Sequence, residues 1–135
     1  MAYFGTAPLR SVGGASLQFP PQVVPCAPGK LILMNHQSVI DILLVVKSVA
    51  YGYPRIVTRA RYGRFIPLIS HLVRLYQYPT VDPTANPREV LKMARAMARE
   101  ARDSDVPIAI FPEGTRTKDG EIGSFRKRGL AKVLK

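Results

Sequence analysis

Cysteine and histidine are scarce in this 135-residue sequence, which has only Cys26, His36 and His71. A single cysteine cannot form an internal disulfide, and these three residues do not have the spacing of a structural zinc site. We therefore expect a reduced protein without a metal site or disulfide framework.

The sequence also has no long hydrophobic run. Its most apolar stretch, residues 39–50, is interrupted by Asp41 and Lys47, whereas a membrane-spanning helix needs about 20 apolar residues. The N-terminus lacks the basic start and apolar segment of a secretory signal. These absences predict a cytoplasmic protein without a transmembrane helix.

Acidic residues are few, with 9 Asp and Glu against 20 Lys and Arg, so the formal net charge is +11 and the isoelectric point is near 10.3. Such an excess predicts an anionic partner. Nucleic acid, an anionic membrane and a phosphorylated small molecule all satisfy it, so motifs must decide among them.

The chain length suits one compact domain. Residues 1–30 are rich in Gly and Pro and predict an irregular segment, followed by an ordered domain over 31–135. Short apolar runs in the ordered domain alternate with helical patterns, which predicts an α/β fold with a central, mostly parallel sheet flanked by helices. The predicted strands are Leu31–Met34, Arg55–Thr58 and Val106–Phe111, and the predicted helices are Ser38–Ala50, Ile66–Tyr76, Asn86 or Pro87 to Asp103, and one from Arg126 onward.

The helix ending at Asp103 is the clearest of these, because apolar residues recur on one face at helical spacing. The opposite face carries a basic stripe, namely Arg88, Lys92, Arg95, Arg99 and Arg102. Most such stripes are solvated helix faces, and an anionic membrane surface is the alternative partner.

His36 and Asp41 follow the first predicted strand. A histidine there lies where α/β folds bind ligands, and Asp41 can orient its ring if His36 folds back over a helix capped by Ser38. The same segment also matches a capping box, in which Asp41 only accepts hydrogen bonds from backbone N–H groups. The residues alone leave both interpretations open, while His71, without a nearby carboxylate in sequence, is expected at the surface or core edge.

The run Phe111-Pro112-Glu113-Gly114-Thr115-Arg116 follows the last predicted strand. A glycine turn there exposes backbone N–H groups, and Thr115 and Arg116 add further donors, as a phosphate-binding loop requires. An ordinary turn with a solvated ion pair between Glu113 and Arg116 is the alternative.

Together, Asn35-His36 with Asp41 and the run from Phe111 to Arg116, about 70 residues apart, resemble the two signature blocks of the glycerolipid acyltransferase family, of the 1-acylglycerol-3-phosphate acyltransferase type. The resemblance extends to Val57-Thr58-Arg59-Ala60-Arg61, Phe65-Ile66-Pro67 and the segment 123–129.

This resemblance implies transfer of a fatty acyl group from acyl-CoA or acyl-carrier protein to a lysophospholipid hydroxyl, without a cofactor or metal. His36 would be the general base and Asp41 its orienting carboxylate. A peripheral position on the cytoplasmic face of an anionic membrane would follow, with no nucleic-acid partner. The implied acceptor-phosphate site comprises Glu113, Gly114, Thr115, Arg116, Arg59 and Arg61.

Two features depart from the family pattern. Pro83 stands where the family usually has an arginine, for which Arg88 is a possible substitute, and the family's last block would lie beyond Lys135, as in a C-terminally truncated chain. The alternatives are a basic nucleic-acid-binding module, which leaves both blocks unexplained, and an inactive acyltransferase remnant. A hydrolase is disfavoured because neither Ser38 nor Cys26 lies in a Gly-x-Ser-x-Gly elbow.

Overall fold

The structure, a computed structural model, describes residues 23–64, 66–117 and 119–134. Within these ranges short strands alternate with helices, and a 3-10 turn spans Ala60–Gly63. The strands are β1 Val24–Pro25, β2 Leu31–Leu33, β3 Val49–Ala50, β4 Arg55–Ile56, β5 Thr58–Arg59, β6 Thr80–Val81 and β7 Ile108–Ile110. The helices are α1 Ile40–Ser48, α2 Ile69–Leu75, α3 Pro87–Asp103 and α4 Lys127–Val133.

Every strand pair among the described residues is parallel, which confirms the α/β prediction in its general form. One sheet has three strands in the order β2-β7-β4, and the pairs β1-β3 and β5-β6 form two smaller sheets. The prediction of one central sheet is therefore only partly confirmed. The prediction for residues 1–22 lies outside the described residues.

The three-stranded sheet forms the core with α1. Val45 of α1, Ile56 of β4 and Ala109 of β7 are buried together. Ile108 and Ala109 are almost fully inaccessible, at 0% and 1% exposure, as expected for the middle strand of a parallel sheet covered on both faces. The core thus lies directly beneath the carboxyl ends of β2 and β7.

Three predicted elements have different bounds in the structure. The predicted helix Ser38–Ala50 is shorter, because Val49 and Ala50 pair with β1 as a strand. The predicted strand Arg55–Thr58 divides at Val57 into β4 and β5, which belong to different sheets. The predicted helix Ile66–Tyr76 begins only at Ile69, because Leu68 before it has a φ of 65°.

Helix α3 matches its predicted bounds because its N-terminus is capped by side chains. The Asn86 side chain accepts a 2.9 Å bond from the N–H of Glu89, and the Glu89 carboxylate accepts one from the N–H of Asn86. Ala94, Ala98 and Ala101 are buried. The five residues of the basic stripe are all exposed, as predicted: Arg88, Lys92, Arg95, Arg99 and Arg102.

Candidate active site

The two signature segments meet because β2 and β7 are parallel neighbours. Leu33 lies beside Ile110 in the ladder, so the residues after both strands emerge at the same edge of the sheet. The contact continues beyond the ladder, where the N–H of Thr117 donates to the carbonyl of His36 at 3.0 Å. Segments about 70 residues apart in sequence therefore form one site.

Asp41 contacts the His36 ring and also holds the loop that precedes α1. Its Oδ2 lies 3.0 Å from His36 Nδ1 and accepts backbone N–H bonds from Gln37 at 2.7 Å and Ser38 at 2.8 Å. The contact with His36 is thus present, and the alternative, in which Asp41 only accepts backbone bonds as part of a capping box, does not hold. The predicted N-cap, Ser38, is one residue early. Helix α1 begins at Ile40, so Val39 is its N-cap, and the Ser38 hydroxyl accepts a hydrogen bond from the N–H of Ile40.

These hydrogen bonds keep the Asp41 carboxylate charged. Burial on its own raises the pKa of this group, but the bonds from the N–H of Ser38, the His36 ring and the N–H of Gln37 outweigh burial, and the pKa of Asp41 is lowered. An ionised carboxylate accepts the proton on Nδ1, which leaves the Nε2 lone pair of neutral His36 as the basic position.

Phe111 packs on one face of the His36 ring. The two rings are stacked with centroids 4.2 Å apart and planes inclined by 22°. The His36 side chain is 18% exposed. With Asp41 at one nitrogen and Phe111 on one face, the ring is held in one orientation.

Glu113 is turned inward and is only 4% exposed. Its Oε1 accepts a 2.9 Å bond from the N–H of His36, and its Oε2 accepts a 3.1 Å bond from the N–H of Gly123. The alternative of a solvated ion pair with Arg116 does not hold in the described residues. Glu113 instead joins the His36 segment to the loop around Gly123.

Gly114 lies close to the side chains of two arginines, Arg126 and Arg59. It has a φ of 67°, a left-handed conformation that favours glycine, and a β-carbon there would lie 2.7 Å from Arg126 Nε. On the other side, Arg59 Nη2 donates a 2.8 Å bond to the Gly114 carbonyl. The structure thereby brings Arg59, from the middle of the sequence, to the second signature segment.

Three of the arginines predicted for the acceptor-phosphate site, Arg59, Arg61 and Arg116, affect the pKa of Tyr62. A 3.1 Å hydrogen bond from Arg61 lowers the pKa of its hydroxyl, and partial burial opposes this effect. The positive charges of Arg61, Arg59 and Arg116 lower the pKa further, so all three act on one tyrosine. Thr115 and Arg116 are themselves exposed. The site therefore has a positively charged, solvent-accessible side.

An apolar cavity of about 490 Å³ opens beside this charged region. Phe111, which stacks on His36, forms part of its wall, and Arg59, Gly114 and Arg126 lie at its polar side. The remaining wall is largely aliphatic and is supplied by Val57, Val81, Val90, Met93, Met97, Ile110, Leu130 and Val133. A long apolar group with a polar end suits such a cavity.

The family model described as Acyltransferase matches residues 19–135. This chain belongs to the acyltransferase family. The match covers both signature segments, the whole cavity wall and the arginines of the site, namely Arg59, Arg61 and Arg116.

Several relatives within the family are named 1-acyl-sn-glycerol-3-phosphate acyltransferase. The one from Helicobacter pylori is 33% identical over 107 residues, covering 78% of this chain and 42% of the relative. The one from Cocos nucifera is 29% identical over 97 residues, covering 72% and 30%. The chain thus spans less than half the length of these relatives, and no solved structure matches it.

The departure from the family pattern at Pro83 falls on the cavity wall, where Val81 and Asp82 also lie. Arg88, the possible substitute, is an exposed residue of α3 and is not among the residues that line the cavity. The cavity therefore has a neutral residue, Pro83, at the place where the resemblance leads us to expect an arginine.

Sequence reasoning gave no role to Phe111, Tyr62 or Arg126. Phe111 begins the second signature segment, and its position next to the loop was the available signal for its contact with His36. Arg126 belongs to the segment 123–129, whose resemblance to the family was noted without assigning a function. Tyr62 had no signal beyond its arginine neighbours, and His71 is exposed on α2, as expected.

Neither a metal cluster nor a membrane-spanning helix is found in the described part of the chain. No group of three or more His, Cys, Asp or Glu residues there is arranged to bind a metal ion. Each helix described is too short or too polar to cross a bilayer. Cys26 is a free, partly buried thiol.

Replacing Asp41 with Asn is expected to lower the melting temperature at pH 5 to 7. The folded-state pKa of Asp41 is depressed, so its stabilising effect is present above the unfolded pKa of about 3.9 and is lost as pH falls through the folded value. The gap in Tm between wild type and variant should therefore narrow below about pH 4. A gap that stayed constant into strong acid would show that ionisation of Asp41 is not its source.

Replacing Glu113 with Gln places an amide NH₂ against a backbone N–H donor. We expect the free energy of unfolding to fall by about 2 kcal/mol, because bonds to charged groups are worth roughly 1.5–3 kcal/mol and one acceptor is lost. Chemical denaturation measures this change. Glu121→Gln is the matched control, since Glu121 is exposed; equal effects of both changes would contradict the internal role of Glu113.

Proposed function

We propose that this protein transfers a fatty acyl group from acyl-CoA or acyl-carrier protein to the free hydroxyl of lysophosphatidic acid or a related glycerophospholipid, in phospholipid biosynthesis. The observation that carries the proposal is the oriented His36–Asp41 pair, 3.0 Å apart, beside an arginine cluster and an apolar cavity. A base, an anion site and an apolar site are the three requirements of this reaction.

In the proposed reaction, His36 Nε2 takes the proton of the acceptor hydroxyl as the oxygen attacks the thioester carbonyl. A carbon–oxygen bond forms, the carbon–sulfur bond breaks, and the imidazolium returns the proton to the departing thiolate. Asp41 stabilises the imidazolium between these steps and holds the tautomer. The acyl group passes directly between substrates, so no acyl-enzyme is needed.

The acceptor phosphate is proposed to bind at the exposed cationic side of the site. Arg116 is the principal ligand, because a guanidinium binds phosphate through two parallel hydrogen bonds. Thr115 and the turn at Gly114 add donors, and Arg59 and Arg61 add positive charge. Glu113 takes part by holding the loop in place through its backbone bonds to His36 and Gly123.

The apolar cavity is the proposed site for a fatty acyl chain. The aliphatic wall adjoins Arg59 and Gly114. Phe111, itself part of the wall, stacks on the His36 ring. The transfer needs no cofactor or metal, because the thioester already activates the acyl group.

The protein is proposed to act at the cytoplasmic face of a membrane, bound peripherally, because its acceptor is a lipid. The basic stripe of α3 supports contact with an anionic leaflet, at about 1 kcal/mol per basic residue held near the surface. A nucleic-acid-binding module uses the same charge but leaves the His36–Asp41 pair and the apolar cavity without a purpose.

His36→Ala is expected to lower kcat by about 10²–10⁴-fold, the usual contribution of a positioned general base. The assay supplies lysophosphatidic acid and an acyl-CoA or acyl-carrier protein and measures phosphatidic acid. His71→Ala, at the other histidine, is the control and should retain activity. Unchanged product formation by His36→Ala would refute the mechanism, and no product from the wild type with either donor would favour an inactive remnant.

Arg116→Ala is expected to raise the KM for the lysophosphatidic acid acceptor by about 10–100-fold, since a charge-assisted bidentate contact contributes roughly 1.5–3 kcal/mol. The KM for the acyl donor should change little. Lys132→Ala, at an exposed cation of α4, is the control. A defect confined to the donor would contradict the assignment of Arg116 to the acceptor phosphate.

A further inference from the structure

Helix α2 presents a leucine face to solvent, made up of Leu68, Leu72 and Leu75. These side chains are 74%, 39% and 62% exposed. Leu72 and Leu75 are three residues apart and lie on one side of the helix, and Leu68 directly precedes its first turn. Ile69, 46% exposed, extends the face. Neighbouring exposed aliphatic residues of this kind mark an interaction surface.

The backbone before α2 holds this face outward. Leu68 has φ 65° and ψ −53°, and the N–H of Ile69 donates to the carbonyl of Pro67 at 2.7 Å, which together form a γ-turn. On the opposite side of the helix, Ser70 and Val73 are buried, and the Ser70 hydroxyl accepts a 3.0 Å bond from the N–H of Ile66. The leucine face is therefore the side that lacks a partner within the described residues.

The surroundings of the leucine face are cationic. The sequence contains no Asp or Glu between Asp41 and Asp82. Arg61, Arg64 and Arg74 in this segment are all exposed. Exposed leucines on a segment that carries cations and no acidic residue match a lipid surface, which is apolar inside and anionic at its headgroups.

The leucine face is connected to the candidate active site through a short path. Helix α2 packs against the 3-10 turn Ala60–Gly63, which directly follows Arg59. Arg59 in turn binds the Gly114 carbonyl at the edge of the apolar cavity. A membrane bound at α2 would therefore lie near the candidate active site.

We propose that the leucine face of α2 is the membrane-docking surface of this protein, with Leu68, Leu72 and Leu75 entering the interfacial layer of an anionic bilayer. The arginines around it bind the headgroups. This assignment rests on the proposed function in one respect, that the acceptor is a membrane lipid. It differs from docking by the α3 stripe, because the contact is apolar and resists salt, whereas a purely electrostatic contact is screened.

The test uses the absence of tryptophan from the chain. Leu72→Trp introduces a single indole into the leucine face, and its emission is recorded with vesicles of phosphatidylcholine and phosphatidylglycerol. We expect a blue shift on vesicle addition, and quenching by bromine-labelled acyl chains. Leu134→Trp, at a 60% exposed leucine after α4, is the control and should show neither effect. Absence of a blue shift in Leu72→Trp, or an equal one in the control, would overturn the proposal.

A second measurement separates apolar from electrostatic docking. Leu68→Gln/Leu75→Gln keeps the net charge, and sedimentation with the same vesicles is measured at about 0.5 M salt, where the Debye length is only about 4 Å. We expect vesicle partitioning to fall about tenfold or more, with Leu134→Gln unchanged. Equal partitioning of wild type and double variant would overturn the proposal, and so would a blue shift of Leu72→Trp with protein concentration alone, which would assign the face to a second copy of the chain.

Neither measurement requires catalysis, so the docking proposal and the proposed function can fail separately. The double variant should turn over acceptor presented in vesicles more slowly than wild type does. On acceptor dispersed in detergent, its turnover should equal that of wild type. Slower turnover on both forms of the acceptor would contradict a docking role for the leucine face.

Discussion

The parallel pairing of β2 with β7 is the constraint on which the site depends. Residues Leu31–Leu33 and Ile108–Ile110 are in register, so two loops distant in sequence leave the sheet at one edge. Nothing local within either loop would bring His36 near Glu113. The N–H of His36 donates to Glu113 Oε1, and the N–H of Thr117 donates to the carbonyl of His36; both bonds form because the strands beneath are aligned. A change of register would separate the base from its loop.

Within the first loop, one carboxylate performs two tasks that seemed to compete. The oxygens of Asp41 have several lone-pair positions, so Oδ2 can accept backbone N–H bonds at the helix start and still contact His36 Nδ1. The backbone bonds also serve the chemistry. They lower the pKa of Asp41, and the carboxylate therefore stays charged beside the ring it orients.

Local signals in the sequence predicted much of the fold. Helix α3 was predicted to within a residue because Asn86, Pro87 and Glu89 determine its start by contacts inside one turn. Strands β1 and β3 were missed because Val24 and Val49 pair across a distance that no local pattern records. The site shows the same division. His36 and Asp41 could be paired from sequence, whereas the inward position of Glu113 depends on backbone N–H groups, which every residue type except proline carries.

The positive charge of the chain has a different physical effect at each place where the fold puts it. Along α3 the five cations of the stripe are exposed on one helix face, where solvent and salt weaken each of them. Around Tyr62, the hydrogen bond from Arg61 is the main cause of the lowered pKa of the hydroxyl, and the charges of Arg61, Arg59 and Arg116 lower it further. The cavity wall is neutral at Pro83, the family's usual arginine position. A phosphate drawn to this protein would therefore be attracted to the exposed arginines near Tyr62, whereas the largely aliphatic cavity wall suits a fatty acyl chain.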